Sequence, residues 1–332
     1  MTADAIPFEP TEPVNRQIRI ATRRSELALR QARIVEAALE TQGLSCEIVT
    51  FRTTGDKRLA EPSGDLTAKG IFTHELEVAL SKKKVDCCVH SLKDLSIELP
   101  EGLAIGAILE REDPRDVLVV NSVTQADDLA SLPAGSRVGT SSLRRRAQLA
   151  ALRPDLEVVE LRGDVPTRLR KVDTGQVHGT ILAAADLIRL GATARITQFL
   201  EPPQWLPAAG QGAIAVEIRD DDDELGVILS SLNHASTAVA TGAERSFVVA
   251  LEGGLQIPIG ALAIAGDDGA LTLHGFVSDT RGRDIVRGSI AVDVESPESS
   301  GRALAADLRT RGASSLLVEL RNSPQLIPRR PE

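Results

Sequence analysis

The chain contains 332 residues, of which 42% are hydrophobic, and it carries a formal net charge of -9. A chain of this length exceeds what one hydrophobic core usually supports, which predicts a globular protein of several domains. The acidic balance argues against a general binder of nucleic acids or anionic membranes, because such proteins need a positive field to attract phosphates.

The N-terminal segment, residues 1–15, is polar and contains prolines, which predicts a disordered tail. It lacks the cationic start and apolar core of a secretory signal, and no apolar run in the chain reaches membrane-spanning length. The cysteines, Cys46, Cys87 and Cys88, are odd in number and lack metal-ligand spacing. We therefore expect a cytoplasmic protein without disulfides and without a metal site.

Strands and helices alternate through the first part of the chain, and this alternation predicts an α/β lobe. Strands are expected at residues 19–22, 46–51 and 85–90, with a helix at residues 74–80. Ser25 is placed to cap an earlier helix, because apolar residues follow it at roughly helical spacing.

A similar order of elements follows in the next part of the chain. Strands are expected at residues 137–139, 157–161 and 179–183, and helices at residues 143–152 and 165–171. When the two parts are aligned, Asp94 and Asp186 fall at corresponding strand ends. Two similar lobes would then face each other across a cleft.

Proline and glycine punctuate residues 112–116 and 206–212, which predicts that these segments cross between the lobes as a hinge. Farther on, a helix at 244–251, a β-rich stretch at 261–294 and a helix at 302–311 predict a small α+β domain. The expected bounds are 1–15 for the tail, 16–113 with 212–234 for the first lobe, 114–211 for the second lobe, and 235–332 for the third domain.

Three arginines, Arg144 to Arg146, follow Ser142 in the first turn of a predicted helix. Cations are electrostatically disfavoured beside a helix N-terminus, so their clustering predicts that an anion binds there. A solvated basic face is the alternative, although adjacent arginines cannot all face away from one another.

Other arginines stand at predicted turns between strands and helices: Arg162 and Arg168 in the second lobe and Arg23 in the first. Ligands of open α/β sheets bind outside the carboxyl ends of strands, and planar guanidinium groups match carboxylates. An acidic protein with this pattern is expected to bind a small polycarboxylate. Lys93 and Asp94, at the end of another strand, form either a local salt bridge or a catalytic pair, and the residues alone leave that choice open.

A set of motifs stands in a fixed order along the chain: Ala21-Thr22-Arg23-Arg24-Ser25, Lys69-Gly70-Ile71-Phe72, His90-Ser91-Leu92-Lys93-Asp94, Gly139-Thr140-Ser141-Ser142-Leu143-Arg144-Arg145 and Leu161-Arg162-Gly163. The set resembles the porphobilinogen deaminases, also called hydroxymethylbilane synthases, over residues 18–260. The resemblance implies an α/β fold with two periplasmic-binding-protein-like lobes around a cleft plus a small α+β third domain.

The resemblance also implies roles for individual residues. Asp94 corresponds to the catalytic carboxylate, which holds pyrrole N–H groups, assists loss of ammonia from porphobilinogen and stabilises the resulting azafulvene cation. Phe72 corresponds to a lid residue of the cleft. The residues that correspond to binders of the substrate's carboxylate groups are Arg23, Ser25, Lys93, Ser142, Arg144, Arg145, Arg162, Arg168 and Arg189.

The chain departs from the family pattern at several cleft positions. Leu255 stands where the family has the cysteine that carries a covalent dipyrromethane primer. Leucine has no nucleophilic atom, so we expect no covalent cofactor at residue 255, and any dipyrromethane would have to be bound noncovalently. Asp164, Pro166 and Asp186 also differ from the usual residues, and the two aspartates would add negative charge among the carboxylate binders.

Two functions stay open at this point. The first is a transferase that condenses porphobilinogen into a linear tetrapyrrole, hydroxymethylbilane, or a shorter oligopyrrole on an acceptor held noncovalently. The second is a non-catalytic homologue that binds pyrroles or polycarboxylates. Retention of Lys93 and Asp94 favours the enzyme, whereas a solute-binding module is disfavoured by the missing export signal. We expect a monomer whose partner is a small-molecule pyrrole, with no nucleic acid or membrane.

Overall fold

The structure is a computed structural model that describes residues 16–59, 70–252 and 257–322. The expected disordered tail and Leu255 lie outside the described residues. Within the described ranges, no helix combines the length and the apolar character needed to cross a bilayer.

The first lobe is built from strands and helices that alternate, as the sequence predicts. Its strands are β1 (Gln17–Arg23), β2 (Ser45–Phe51), β3 (Cys87–Ser91) and β4 (Leu103–Ile108). Its helices are α1 (Glu26–Glu40), α2 (Thr54–Leu59) and α3 (His74–Ser81). Ser25 caps helix α1 as expected, because its side chain accepts a hydrogen bond from the Ala28 backbone N–H at 3.3 Å. Its apolar face packs into the lobe core through residues such as Ala32 and Val35.

The second lobe repeats this alternation over a continuous part of the chain. Its strands are β5 (Asp116–Val120), β6 (Arg137–Gly139), β7 (Glu157–Val159), β8 (Gly179–Ala183) and β9 (Gln198–Leu200). Its helices are α4 (Leu143–Leu152), α5 (Val165–Asp173) and α6 (Ala184–Arg189). The helix predicted at 143–152 and the strand predicted at 179–183 have the observed bounds.

After the second lobe the chain returns to the first through β10 (Ile214–Arg219) and α7 (Asp223–Ser230). The sheet order is β2-β1-β3-β10-β4 in the first lobe and β7-β6-β8-β5-β9 in the second. In both sheets three parallel strands are followed by an antiparallel strand, and a segment that crosses from the other lobe leads into that strand. Asp94 and Asp186 therefore occupy equivalent positions, since each is the third residue after the matching strand, β3 or β8.

The two crossing segments contact each other where the hinge was expected. The Glu112 N–H donates to the Gly212 carbonyl at 3.2 Å. Gly212 has φ +90°, and a Cβ there would lie 2.3 Å from the Glu112 carbonyl oxygen. Only glycine therefore fits this crossing without displacing the backbone.

The C-terminal part forms a three-stranded antiparallel sheet, in the order β11-β12-β13, with helices packed against it. The strands are β11 (Ile259–Ala265), β12 (Leu271–Ser278) and β13 (Ile285–Ala291). The helices are α8 (Ala235–Ala250), α9 (Pro297–Leu308) and α10 (Ser314–Asn322). The helix predicted at 244–251 begins earlier, the one predicted at 302–311 is shifted towards the N-terminus, and α10 was not predicted. The α/β class with two sheet-containing lobes is confirmed, whereas the domain bounds stay a prediction.

Candidate active site

A cavity of about 370 Å³ lies between the two lobes, beside the turns that follow β1, β3, β6 and β8. Ligands of open α/β sheets are expected at such strand ends. The cavity has the size of a small-molecule site. The predicted site residues that line it are Arg23, Ser25, Phe72, Lys93, Asp94, Ser142, Arg144, Arg145, Arg162, Asp164, Pro166, Arg168 and Asp186.

Asp94 lies in a single 3₁₀ turn at the end of β3 and is half-buried at the cavity wall. Strand β3 is held between β1 and β10, so the turn rests on the most enclosed strand of the lobe. Within the described part of the chain, the Asp94 carboxylate forms no hydrogen bond and no ion pair. Both of its oxygens are therefore available to a ligand.

The Lys93 side chain points to the opposite lobe rather than to its neighbour Asp94. Its Nζ lies 2.8 Å from Oδ2 of Asp186 in α6, and the two side chains are only 15% and 12% exposed. This ion pair joins the lobes at the equivalent turns after β3 and β8. The alternative of a local Lys93–Asp94 salt bridge is not what the structure shows.

Arg144 and Arg145 are buried at the start of α4 and share one carboxylate, that of Asp116 at the start of β5. The guanidinium nitrogens lie 2.6 and 2.7 Å from the two Asp116 oxygens. The Trp205 indole N–H and the Gln211 amide also donate to Asp116, at 2.8 and 2.9 Å. The anion expected beside this arginine cluster is thus supplied by the chain itself.

Burial alone would raise the pKa of the Asp116 carboxyl, but Arg144 and Arg145 lower it far below its usual range. Asp116 is therefore ionised at neutral pH. Its single charge offsets only one of the two guanidinium groups, so this end of the cleft keeps a positive field towards a ligand.

Arg23 is held at the opposite wall by Asp56 of α2, with which it forms a two-nitrogen contact. Burial would raise the pKa of the Asp56 carboxyl, but the hydrogen bonds and charge of Arg23 lower it. The guanidinium carbon lies 4.3 Å from the centroid of the Phe72 ring, a cation–π contact. Phe72 thus belongs to the cleft wall, as expected, and its role as a lid stays a prediction.

Arg162 and Arg168 come from the turn after β7 and from α5. Arg162 Nε lies 2.6 Å from Oε1 of Glu160. Arg168 donates through Nε to the Gly163 carbonyl at 2.8 Å, and no carboxylate in the described ranges lies within ion-pair distance of it. Burial, with Arg145 nearby, lowers the pKa of Arg168 to about 10. Arg168 is therefore a cation that a bound carboxylate would stabilise.

Three of the remaining predicted residues have local structural partners. Ser142 caps α4 by accepting from the Arg145 N–H at 3.4 Å. Asp164 caps α5 by accepting from the Thr167 N–H at 3.0 Å, and Pro166 stands in the first turn of that helix. Proline and an acidic cap are both favoured in the first turn of a helix, so both residues suit the start of α5.

Arg189 is the predicted binder that the structure does not bring to the cavity. Its guanidinium donates to the Gly212 carbonyl at 2.6 Å, at the crossing segment. It lines a separate depression behind the hinge, together with Arg111 and Glu112. The structure thus places Arg189 at the contact between α6 and the crossing segment, and its role in carboxylate binding stays a prediction.

No cysteine lines the described part of the cavity. Cys87 and Cys88 are fully buried in β3, and burial raises the pKa of both thiols above the usual value. Burial also raises the pKa of Cys46 to about 11. Because attachment of a thioether requires an accessible thiolate, the described cysteines do not fit a covalent primer site.

One group in the described residues has metal-ligand proximity. Ligand atoms of Cys88, His90 and Glu217 all lie within 4.8 Å of one another, and the three residues are buried. His90 Nε2 lies 3.0 Å from Glu217 Oε2, which ties β3 to β10. The group lies in the lobe core and outside the cavity lining, so we assign it to sheet packing.

Asp116 and Gln211, which hold the arginine pair in place, were not predicted as site residues. Both belong to segments that were recognised only as a hinge. Their partners are distant in sequence, 28 residues for Asp116 with Arg144 and 95 for Gln211 with Asp116. No local pattern could therefore have revealed them.

Comparison with known proteins matches nearly the whole chain. A family model described as "Porphobilinogen deaminase, dipyromethane cofactor binding domain" matches residues 18–226, and a second, "Porphobilinogen deaminase, C-terminal domain", matches residues 238–310. A porphobilinogen deaminase of Moorella thermoacetica is 48% identical over 307 residues, which cover 92% of this chain and 97% of the relative. A porphobilinogen deaminase of Syntrophobacter fumaroxidans is 47% identical over 308 residues, covering 92% and 98%.

Solved structures with a similar arrangement include the methionine-binding protein MetQ, with a TM-score of 0.42 and 14% identity over 65% of this chain and 88% of that one. The VFT2 domain of Bordetella pertussis BvgS gives a TM-score of 0.39 and 18% identity over 67% and 90%. Scores this low carry no functional argument.

Proposed function

Because the chain belongs to the porphobilinogen deaminase family, we propose that it is a transferase of the hydroxymethylbilane synthase type. It condenses porphobilinogen units, with loss of ammonia, into a linear tetrapyrrole or a shorter oligopyrrole. The observation that carries the proposal is the Asp94 carboxylate, which faces an arginine-lined cavity and has no partner among the described residues.

The chemistry of porphobilinogen suits this arrangement. The molecule is a pyrrole with an aminomethyl group and two carboxylate arms. When the protonated amine leaves as ammonia, the C–N bond breaks, its electron pair departs with nitrogen, and a cationic azafulvene remains. A fixed carboxylate beside the developing cation lowers the barrier electrostatically. Asp94 supplies that charge, and it can also accept a hydrogen bond from the pyrrole N–H.

The carboxylate arms bind most strongly to cations that are not already neutralised. Arg168 is the clearest candidate because it lacks an ion partner in the described chain, and the Arg144–Arg145 pair keeps one positive charge beyond that of Asp116. Arg23, Ser25, Lys93, Ser142 and Arg162 are proposed to contribute at the cavity wall. Coupling then joins the azafulvene carbon to the free α carbon of an acceptor pyrrole, which loses a proton.

The family model is named for a dipyrromethane cofactor. We propose that this chain does not attach it covalently at residue 255, because the leucine side chain contains only carbon and hydrogen. The first acceptor pyrrole is then held noncovalently by the cleft.

We further propose that the protein works as a monomer in the cytoplasm, and three cysteines without disulfides agree with a reducing compartment.

The test is to incubate the purified full chain with porphobilinogen and to measure ammonia, free pyrrolic products and the mass of the intact protein. We expect ammonia and soluble oligopyrrole from a protein of unchanged mass. Asp94→Asn should lower the rate of ammonia release about 100- to 1,000-fold, as loss of one aligned electrostatic group does in other enzymes.

Glu157→Gln is the control, because it removes an exposed carboxylate of β7 that does not line the cavity. Its rate should stay close to that of the unmodified chain. Binding of porphobilinogen without ammonia release would instead identify a non-catalytic homologue, and equal rates for both variants would refute the role of Asp94.

A further inference from the structure

The ion pair between Lys93 and Asp186 differs from the other ion pairs of the cavity wall. Arg23 pairs with Asp56 inside the first lobe, and Arg162 pairs with Glu160 inside the second. Among the cavity-lining ion pairs of the described chain, the Lys93–Asp186 pair is the one that crosses from lobe to lobe.

Asp186 presents to Lys93 the same chemical group that a pyrrole carboxylate would present. The Nζ–Oδ2 distance is 2.8 Å, and both side chains are largely shielded from water, at 15% and 12% exposure. A ligand carboxylate that reaches Lys93 thus meets an ammonium that is already neutralised. It must displace Asp186 or bind beside another anion.

The influence of Asp186 also reaches Arg168. Burial and Arg145 lower the pKa of Arg168, while the negative charges of Asp186, Asp94 and Asp164 oppose that effect. Asp186 thus lies within electrostatic range of two of the cations proposed to bind the ligand. Any second anion in this part of the cleft weakens the attraction of both cations for a carboxylate arm.

We propose that Asp186 is a built-in competitor for Lys93 that sets the affinity of the cleft for carboxylate-bearing pyrroles. The ion pair links the two lobes across the cleft, and a ligand carboxylate takes Lys93 by exchange with Asp186. This inference rests on the proposed function, because that function supplies the ligand whose carboxylate arm competes with Asp186 for Lys93.

The experiment compares dissociation constants for porphobilinogen, measured by calorimetry on the full chain in an Asp94→Asn background that suppresses turnover. Asp186→Asn keeps the size of the side chain and removes its charge. We expect the dissociation constant to fall about three- to tenfold, the scale of one partly shielded ion pair. The gain should shrink as salt is raised, because the freed charge on Lys93 is then screened.

Two variants serve as controls. Asp186→Glu keeps the negative charge. Its dissociation constant for porphobilinogen should stay within about twofold of that of the protein with Asp186, a change of well under 1 kcal/mol. Glu157→Gln removes an exposed carboxylate of β7 that does not line the cavity, so the same small change is expected. The melting temperature of each variant shows whether the fold is intact.

An unchanged or higher dissociation constant for a folded Asp186→Asn protein would overturn the competitor role. If the unmodified chain nevertheless releases ammonia from porphobilinogen, the proposed function stands and only the role of Asp186 fails. If the protein neither binds nor consumes porphobilinogen, both proposals fail together.

Discussion

At the residue scale, the arginines of α4 show what a sequence can and cannot reveal. Their clustering beside a helix N-terminus predicted a bound anion, and the structure shows the carboxylate of Asp116 beside two of them. The sequence could not show that the anion is Asp116 of the chain itself, because that contact depends on how β5 and α4 pack. Lys93 is a similar case, since its partner lies 93 residues away.

Removal of the Asp116 charge should be costly. Asp116→Asn leaves Arg144 and Arg145 buried without a counter-ion, and loss of one partner from such a cluster costs about 3–5 kcal/mol of unfolding free energy. Urea unfolding at pH 7 measures this loss of unfolding free energy. Glu157→Gln, at an exposed acid on β7, is the control and should change little.

The pH dependence of that loss follows from the direction of the pKa shift. The pKa of Asp116 is lower in the folded state, so its contribution is complete above the unfolded value of about 4 and declines as pH falls below it. The stability gap between Asp116→Asn and the unmodified chain should therefore narrow in acid. A gap that widens in acid would contradict the assignment.

At the element scale, elements with a strong apolar or capping pattern were predicted well, and elements shaped by close packing were not. The start of α8 was missed because its first half is rich in small residues. Those residues allow α9 to approach, and a Cβ on Gly301 of α9 would lie 2.3 Å from the Ala243 carbonyl oxygen. Because close contact between helices requires small residues, the first half of α8 lacks the periodic bulky residues from which a helix is predicted.

Helix α3 carries an acid whose burial has a predictable cost. Glu77 is 6% exposed, and one of its carboxylate oxygens has no hydrogen-bond partner among the described residues. Burial, with a contribution from Glu217, raises its pKa. The folded protein therefore binds this proton more tightly than the unfolded chain does, so stability falls as pH rises from about 4 through the folded pKa.

Glu77→Gln removes that charge. We expect the variant to be more stable than the unmodified chain by about 1 kcal/mol at pH 8, with a smaller advantage at pH 5. Thermal unfolding across this pH range is the measurement. Glu47→Gln, at an exposed acid of the same lobe, should show no such trend, and an advantage that grows in acid would be the contrary result.

At the scale of the whole molecule, Glu244 of α8 connects the third domain to the hinge. Its fully buried carboxylate accepts from Arg111 at 2.7 and 2.9 Å, from the Gly210 N–H at 2.8 Å and from the Ala263 N–H at 3.0 Å. One side chain thus joins both crossing segments to β11. The proline and glycine pattern predicted the crossing, but it gave no sign of this connection.

Glu244→Gln should loosen the third domain, because a neutral amide cannot match the paired guanidinium of Arg111. We expect a loss of about 3 kcal/mol and cleavage between α7 and α8 in limited proteolysis. Glu295→Gln, at an exposed acid of the same domain, is the control. Equal resistance to protease in both variants would show that other contacts hold the domain.

Strand β10 also determines the order in which the lobes can be completed. A nascent chain that has emerged as far as Leu200 already holds every strand of the second lobe's sheet, whereas the first lobe's sheet still lacks the strand between β3 and β4. The sheet of the first lobe is therefore completed after the sheet of the second lobe, although its synthesis begins earlier. The sheet that supports Asp94 can be completed only when residue 219 has left the ribosome. The cleft therefore forms only after the sheets of both lobes are complete.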